Sequence, residues 1–150
     1  MRTHARSLGC AVAAAFLAAS CTSPAPSHLP AEGALGPYSA AVSTGDFVFL
    51  SGKIGKTGGS TAGNPAGSIG QDVEAAIDSI QKDLDRLQLS LADVVSVNVF
   101  VTDISAYAEL NVAYAKRFPQ PYPARTTVAV SALPGGARVE IQAVAMRRRR

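Results

Sequence analysis

The chain has 150 residues, of which 17% are charged and 47% hydrophobic. This length allows one domain with a core of its own, and the composition excludes a mainly disordered chain. The formal net charge is +3, but the run from Arg147 to Arg150 supplies four of the fourteen basic residues. The run is either a solvated tail or a weak contact for phosphate groups of lipid or nucleic acid. Since no base-reading motif accompanies it, we expect no nucleic-acid partner.

The N-terminus has the layout of a secretion signal. Arg2, His4 and Arg6 precede the uncharged run from Cys10 to Ala19, which is shorter than the roughly 20 apolar residues that span a bilayer as a helix. Cys10 leaves with such a signal and no cysteine follows Cys21, so an internal disulfide is not possible in the processed chain.

The end of the apolar run resembles the lipobox of bacterial lipoproteins, in the sequence Leu17-Ala18-Ala19-Ser20-Cys21. This resemblance implies a lipid on Cys21 and a periplasm-facing lipoprotein, and Thr22 after the cysteine implies the outer membrane. Ordinary signal cleavage is the alternative.

Three regions follow from this reading. Residues 1–20 form the signal peptide, residues 21–35 form the lipidated cysteine and a flexible tether rich in proline, and residues 36–150 form the folded domain.

The first half of the domain predicts a strand, a loop and a helix. Phe47 to Ser51 are strand formers between turn residues, and Lys56 to Gly67 are mostly Gly, Thr, Ser, Asn and Pro, which is typical of a loop. A capping box of Ser68 and Gln71 begins a helix over residues 69–88.

The second half predicts a strand, a helix and two further strands. Residues 94–101 form a strand with the odd-numbered valines on one face, and residues 105–118 form a helix that Pro119 stops. Residues 126–130 and 138–146 are strands joined by a Gly-rich turn. The pattern indicates an α+β two-layer sandwich with helices on one face of a sheet.

The inventory of reactive residues limits the chemistry. Residues 37–150 contain no histidine, cysteine or tryptophan, which removes histidine bases, cysteine nucleophiles and the usual zinc sites. Arg125 and Glu140 interrupt otherwise apolar strands. From spacing alone, a solvated strand face or an edge salt bridge explains them as well as a site does.

Seven blocks along the domain resemble the RidA/YjgF family, in order and at suitable separations. They are Gly36-Pro37-Tyr38-Ser39, Phe49-Leu50-Ser51-Gly52, Asp93-Val94-Val95, Asn98-Val99-Phe100-Val101-Thr102-Asp103, Asn111-Val112-Ala113-Tyr114, Pro123-Ala124-Arg125-Thr126, and Leu133-Pro134 with Val139-Glu140-Ile141.

The resemblance implies a homotrimer of chorismate-mutase-like subunits, each a mixed sheet of about six strands with two helices on one face. It implies hydrolysis of reactive 2-enamine and 2-imino acids to 2-keto acids and ammonia in clefts between subunits, without a metal or organic cofactor. Arg125 matches the arginine that binds the substrate carboxylate, and Glu140 matches the acid that positions or activates water. Tyr38, Ser51 and Asn111 match other cleft residues, although each has a structural alternative in packing or backbone bonding.

The chain also departs from the family pattern. Ala40 and Lys53 stand where glutamine is frequent, and Gln142 stands where a second glutamate is common. The first two departures leave the substrate open. The alternative function is a non-catalytic trimeric module in the cell envelope that binds a small carboxylate. Ribonuclease activity or translation inhibition, reported for some relatives, conflicts with export.

Overall fold

The computed structural model describes residues 25–56 and 67–148. The predicted signal peptide, Cys21, most of the predicted loop and the last two arginines lie outside the described residues. Nine strands and α-helices follow one another within these described residues. They are β1 (Ser27–Pro30), β2 (Ser39–Thr44), β3 (Phe47–Leu50), β4 (Lys53–Ile54), α1 (Ile69–Arg86), β5 (Val94–Val101), α2 (Tyr107–Arg117), β6 (Ala124–Ala129) and β7 (Val139–Met146).

The strands form one mixed sheet. The order across it is β1-β2-β3-β7-β5-β6, and the two-residue strand β4 pairs with β7 off this path. Strands β5 and β6 are parallel, and every other pairing in the described sheet is antiparallel. Both helices cover one face, because α1 and α2 pack against each other and α1 packs on β7. This arrangement confirms the predicted two-layer α+β fold with about six main strands.

Strand β1 lies inside the stretch predicted to be a flexible tether. Ser27 pairs with Ser43 and Leu29 pairs with Ala41. The described sheet therefore begins at Ser27 rather than after Gly36. The sequence pattern missed this strand because Pro30 and the prolines before it favour extended, unpaired chain, whereas an edge strand tolerates proline.

The core lies between the covered face of the sheet and the two helices. Helix α1 begins at the predicted capping box, in which Ser68 Oγ accepts from the Gln71 amide at 3.3 Å and the Ser68 amide donates to Gln71 Oε1 at 2.9 Å. Its apolar stripe is completely buried at Val73, Ile77, Ile80 and Leu84. Each such side chain contributes about 1.5–3 kcal/mol to folding. Among the described helices, none combines the length and apolar character needed to cross a membrane.

Two helix boundaries in the structure differ from the predicted ones, and the local backbone explains both differences. The first helix ends at Arg86 rather than at residue 88, because Gln88 takes a positive φ of 58°. The second begins at Tyr107, after a 3-10 turn over Ile104–Ala106 in which Asp103 accepts from the Ser105 amide at 2.9 Å.

One valine of the central strand β5 does not lie on the predicted face. Val97, Val99 and Val101 are buried as expected, but Val95 is 38% exposed and Val94 takes its place in the core. The register against β7 shifts between Val94 and Ser96. This β-bulge inserts one extra residue, so the alternation that holds along the rest of the strand fails before it.

Two polar contacts anchor the start of α1 to its neighbours. Arg138 donates from Nε and Nη2 to Asp72 Oδ2 at 2.8 and 2.7 Å, and the Asp72 side chain is 2% exposed. On α2, hydrogen bonds from the Ser68 hydroxyl and the Gly70 amide lower the pKa of Glu109. A carboxylate at a helix N-terminus is favourable because the first amides of the helix have no partner within it.

Gly55 allows the chain after β4 to approach α1. Its amide donates to the Val139 carbonyl at 2.9 Å, and a methyl group on its Cα would overlap the backbone carbonyl of Asp72. We expect Gly55→Ala to lower the free energy of unfolding by about 1–3 kcal/mol, because backbone cannot yield as a side chain can.

Urea denaturation at one fixed protein concentration measures this loss. Gly36→Ala is the matched control, since its added methyl would only touch the Tyr38 ring at 3.8 Å. Equal midpoints for the two variants would contradict the close approach.

Candidate active site

The predicted cleft residues fall into two separate pockets. The arginine pocket is lined by Ile104, Tyr107, Arg125 and Thr127, and Asn111 bonds Arg125 behind it. The glutamate pocket is lined by Leu35, Tyr38, Ser51, Gly52, Ile54, Pro134 and Glu140. The two pockets share no residue, so the described chain does not bring Arg125 and Glu140 into one site.

Strand register explains this separation. Arg125 pairs with Val97, whose side chain is buried beneath the helices, so Arg125 projects to the helix-covered face. Glu140 pairs with Phe100, on the opposite face of β5. Paired residues of neighbouring strands project to the same side of a sheet. Arg125 and Glu140 therefore lie on opposite faces.

Helix α2 holds the Arg125 guanidinium in one position. Nη2 donates to Asn111 Oδ1 at 2.6 Å and to the Tyr107 hydroxyl at 3.0 Å. The Cζ atom lies 4.6 Å from the centre of the Tyr114 ring and 5.6 Å from that of Tyr107. These cation–π contacts and hydrogen bonds restrict a side chain that would otherwise be flexible.

Arg125 lines the arginine pocket with donors that its contacts to α2 do not use. Among the described residues, Nε and Nη1 make no hydrogen bond, and the hydroxyl of Thr127, which lines the same pocket, is buried without a partner. A guanidinium with free donors suits a planar carboxylate, because it can offer two parallel N–H groups to the two oxygens. The pocket can therefore bind a small organic acid.

Tyr114 supports Arg125 from inside the core. Its ring stacks on Phe118 with centroids 4.4 Å apart, and burial raises the pKa of its hydroxyl to about 12, although the charge of Arg125 lowers it. The hydroxyl is thus neutral at physiological pH, so the ring serves as a cation–π platform and not as a base.

The glutamate pocket has a volume of about 270 Å³ at the other side of the sheet. A methyl group on Gly52 would overlap the Glu140 carboxyl group, so Glu140 lies directly over this glycine. The Ser51 hydroxyl donates to the Ser39 carbonyl at 2.7 Å, which joins β2 to the end of β3. Tyr38 is 48% exposed at the mouth of the pocket.

Gln142 lies one position further along the same face of β7. It accepts a hydrogen bond from Asn98 Nδ2 at 3.2 Å, across the β5–β7 pair. The residue that departs from the family pattern therefore makes a neutral contact on the open face of the sheet.

Tyr107 and Thr127 belong to the arginine pocket but were not predicted there. Their spacing carried a usable signal, because Tyr107, Asn111 and Tyr114 follow one helical face and Thr127 follows Arg125 by one strand period. In the ranges 25–56 and 67–148, no group of three or more His, Cys, Asp or Glu residues is arranged to hold a metal ion.

Comparison with known proteins places this geometry in a family. A family profile described as "Endoribonuclease L-PSP" matches residues 29–147. "Protein HMF1" of Saccharomyces cerevisiae is 41% identical over 118 residues, which cover 79% of this chain and 90% of that protein. The human "2-iminobutanoate/2-iminopropanoate deaminase" is 34% identical over 116 residues, which cover 77% of this chain and 84% of that enzyme.

A solved structure agrees with the fold. RidA from an Antarctic Psychrobacter bacterium matches with a TM-score of 0.67 and 35% identity, over 79% of this chain and 94% of that one. The mixed sheet, the two helices and these matches together show that the chain belongs to the RidA/YjgF family.

Proposed function

We propose that the protein hydrolyses reactive 2-enamine and 2-imino acids to 2-keto acids and ammonia. The observation that carries this proposal is the Arg125 guanidinium, which α2 holds rigid while its Nε and Nη1 donors stay available to a carboxylate. Relatives named as deaminases of such imino acids support the same reaction.

We infer further that the reacting site lies between subunits of a homotrimer. Arg125 is on the edge strand β6, and Glu140 is two strands inward on the opposite face. A second copy placed against this edge can bring its glutamate pocket to the arginine pocket of the first. Each cleft then combines Arg125 and Asn111 of one subunit with Tyr38, Ser51 and Glu140 of another.

The chemistry needs only positioned polar groups. Arg125 binds the substrate carboxylate, and the Glu140 carboxylate accepts a proton from water as the water oxygen bonds to the imine carbon. Glu140 passes this proton to the nitrogen. The hydroxyl of the resulting carbinolamine then loses its proton to the nitrogen as the carbonyl forms, the carbon–nitrogen bond breaks, and ammonia and a 2-keto acid are released. An enamine first becomes the imine, as its third carbon gains a proton and its nitrogen loses one. Because imines hydrolyse in water unaided, orientation of the reactants supplies the acceleration.

We also propose that the chain is exported and anchored by a lipid on Cys21. Five residues separate Cys21 from the start of β1 at Ser27, and the six steps from one Cα to the next reach at most about 20 Å when extended. A lipid on Cys21 would therefore hold the sheet close to the membrane surface.

Substitution of Arg125 tests the carboxylate contact. We expect Arg125→Lys to lower kcat/KM for 2-iminobutanoate by about 10- to 100-fold, because a lysine cannot donate two parallel hydrogen bonds. The assay follows loss of the imine by trapping the remainder with semicarbazide. Calorimetric binding of a small carboxylate by the wild type, without acceleration of hydrolysis, would overturn the deaminase and favour the binding module.

Gly52 provides a test of the Glu140 position. Gly52→Ala would push the carboxyl group aside, and we expect kcat to fall about 100-fold, as for other displacements of about 1 Å. In a Glu140→Ala background the same change should cost little more, because the displaced group is gone. Equal losses in both backgrounds would show that Gly52→Ala acts through another part of the fold.

Lipidation is tested by fractionation of cells that express the full chain. We expect Cys21→Ser to move the protein from the membrane fraction to the soluble fraction, because the acyl chains supply most of the membrane affinity. Cys10→Ser is the matched control and should stay in the membrane fraction. A wild-type protein already soluble would argue for ordinary signal cleavage.

A further inference from the structure

A larger depression opens beside the glutamate pocket, and we name it the basic groove. It has a volume of about 670 Å³ and lies between the loop over residues 31–35, strand β4 and helix α1. Leu35, Tyr38, Gly52 and Ile54 line both cavities. The two cavities therefore adjoin along these four residues.

Arg86 builds one side of this groove. Its guanidinium donates to the Pro30 carbonyl at 3.4 Å, and it lies 3.4 Å from the Glu32 carboxylate and 3.5 Å from that of Asp83. These contacts join the start of the loop to α1. This side of the basic groove is thus held in place by contacts within the fold.

Four cationic side chains and two carboxylates line the basic groove. Lys53 projects toward α1 and forms an ion pair with the buried Asp83, which also pairs with Arg86. The carboxylate charges are therefore already matched by Lys53 and Arg86. Two lysines remain.

Lys56 and Lys82 are the unmatched cations. Neither makes an ion pair or a side-chain hydrogen bond to any residue that the structure describes. The Lys56 amine lies against Gly135, where a Cβ would be 2.9 Å from Nζ, and the adjacent Pro134 lines the glutamate pocket. The groove thus has an excess of positive charge next to the proposed reaction centre, and a concave surface concentrates such a field.

We propose that the basic groove binds the distal carboxylate of a 2-imino dicarboxylic acid whose imine carbon faces Glu140. This inference rests on the proposed deaminase function and names its substrate class. In a five-carbon imino diacid, two methylene groups separate the imine carbon from the distal carboxyl group. They lie along the apolar walls at Leu35 and Ile54, and the distal carboxylate meets Lys56 and Lys82.

The experiment compares two imines that differ in distal charge. An amino-acid oxidase generates them in the cuvette from glutamate and from norvaline, and the full-length protein is added with semicarbazide as the trap. We expect Lys56→Gln and Lys82→Gln each to lower kcat/KM for the glutamate-derived imine up to about fivefold, the range of an exposed ion pair. The norvaline-derived imine should be hydrolysed at the wild-type rate.

A control variant and two possible outcomes distinguish failure of this inference from failure of the proposed deaminase function. Lys116→Gln removes a cation that pairs with Glu74 away from both pockets, and it should change neither rate. Acceleration of both imines with no dependence on Lys56 or Lys82 would overturn the dicarboxylate assignment alone. Failure to accelerate either imine would instead overturn the deaminase function.

Discussion

Side chains along a strand point alternately to the two faces of the sheet, and both helices cover the same face. The candidate site depends on this constraint. Along β7, Val139, Ile141 and Ala143 are buried on the helix-covered face, which leaves Glu140 and Gln142 on the open one. Arg125 projects the other way because its partner Val97 is a core residue. A single sheet of this kind cannot bring the two charged groups together. Hence the proposed clefts require a second subunit, whose opposite face meets the edge strand β6.

Each half of the proposed site owes its geometry to close packing. On one side, Tyr107, Asn111 and Tyr114 of α2 hold the guanidinium by hydrogen bonds and ring faces. On the other, the absence of a side chain at Gly52 leaves the space that the Glu140 carboxyl group occupies. Both arrangements restrict the motion of a charged side chain before the substrate binds. Reacting groups that are oriented in advance accelerate the reaction.

Charge pairing distinguishes the structural cations from those available to a ligand. Arg138 pairs with the buried Asp72 and Lys53 pairs with Asp83, so these cations are used in holding the fold together. Lys53 is also a departure from the family pattern, and its pairing shows that this change serves the contact between β4 and α1. Lys56 and Lys82 make no such pair with any residue that the structure describes, which is why they, and not Lys53, carry the inference about substrate charge.

The sequence by itself determined the layers, the main helices and strands from β3 onward, and the residue types of the site. The spacing of hydrophobic residues and the helix-capping residues involve only a few neighbouring positions, so a sequence predicts them directly. The Ser68 capping box and the buried valines of β5 are examples. Only the tertiary structure decided that Ser27–Pro30 joins the sheet, that Val95 leaves the core at a bulge, and that Tyr107 and Thr127 accompany Arg125. These outcomes depend on strand register and on contacts between residues far apart in the chain. Local patterns do not specify such contacts, because pairing partners are selected by the packing of the whole domain.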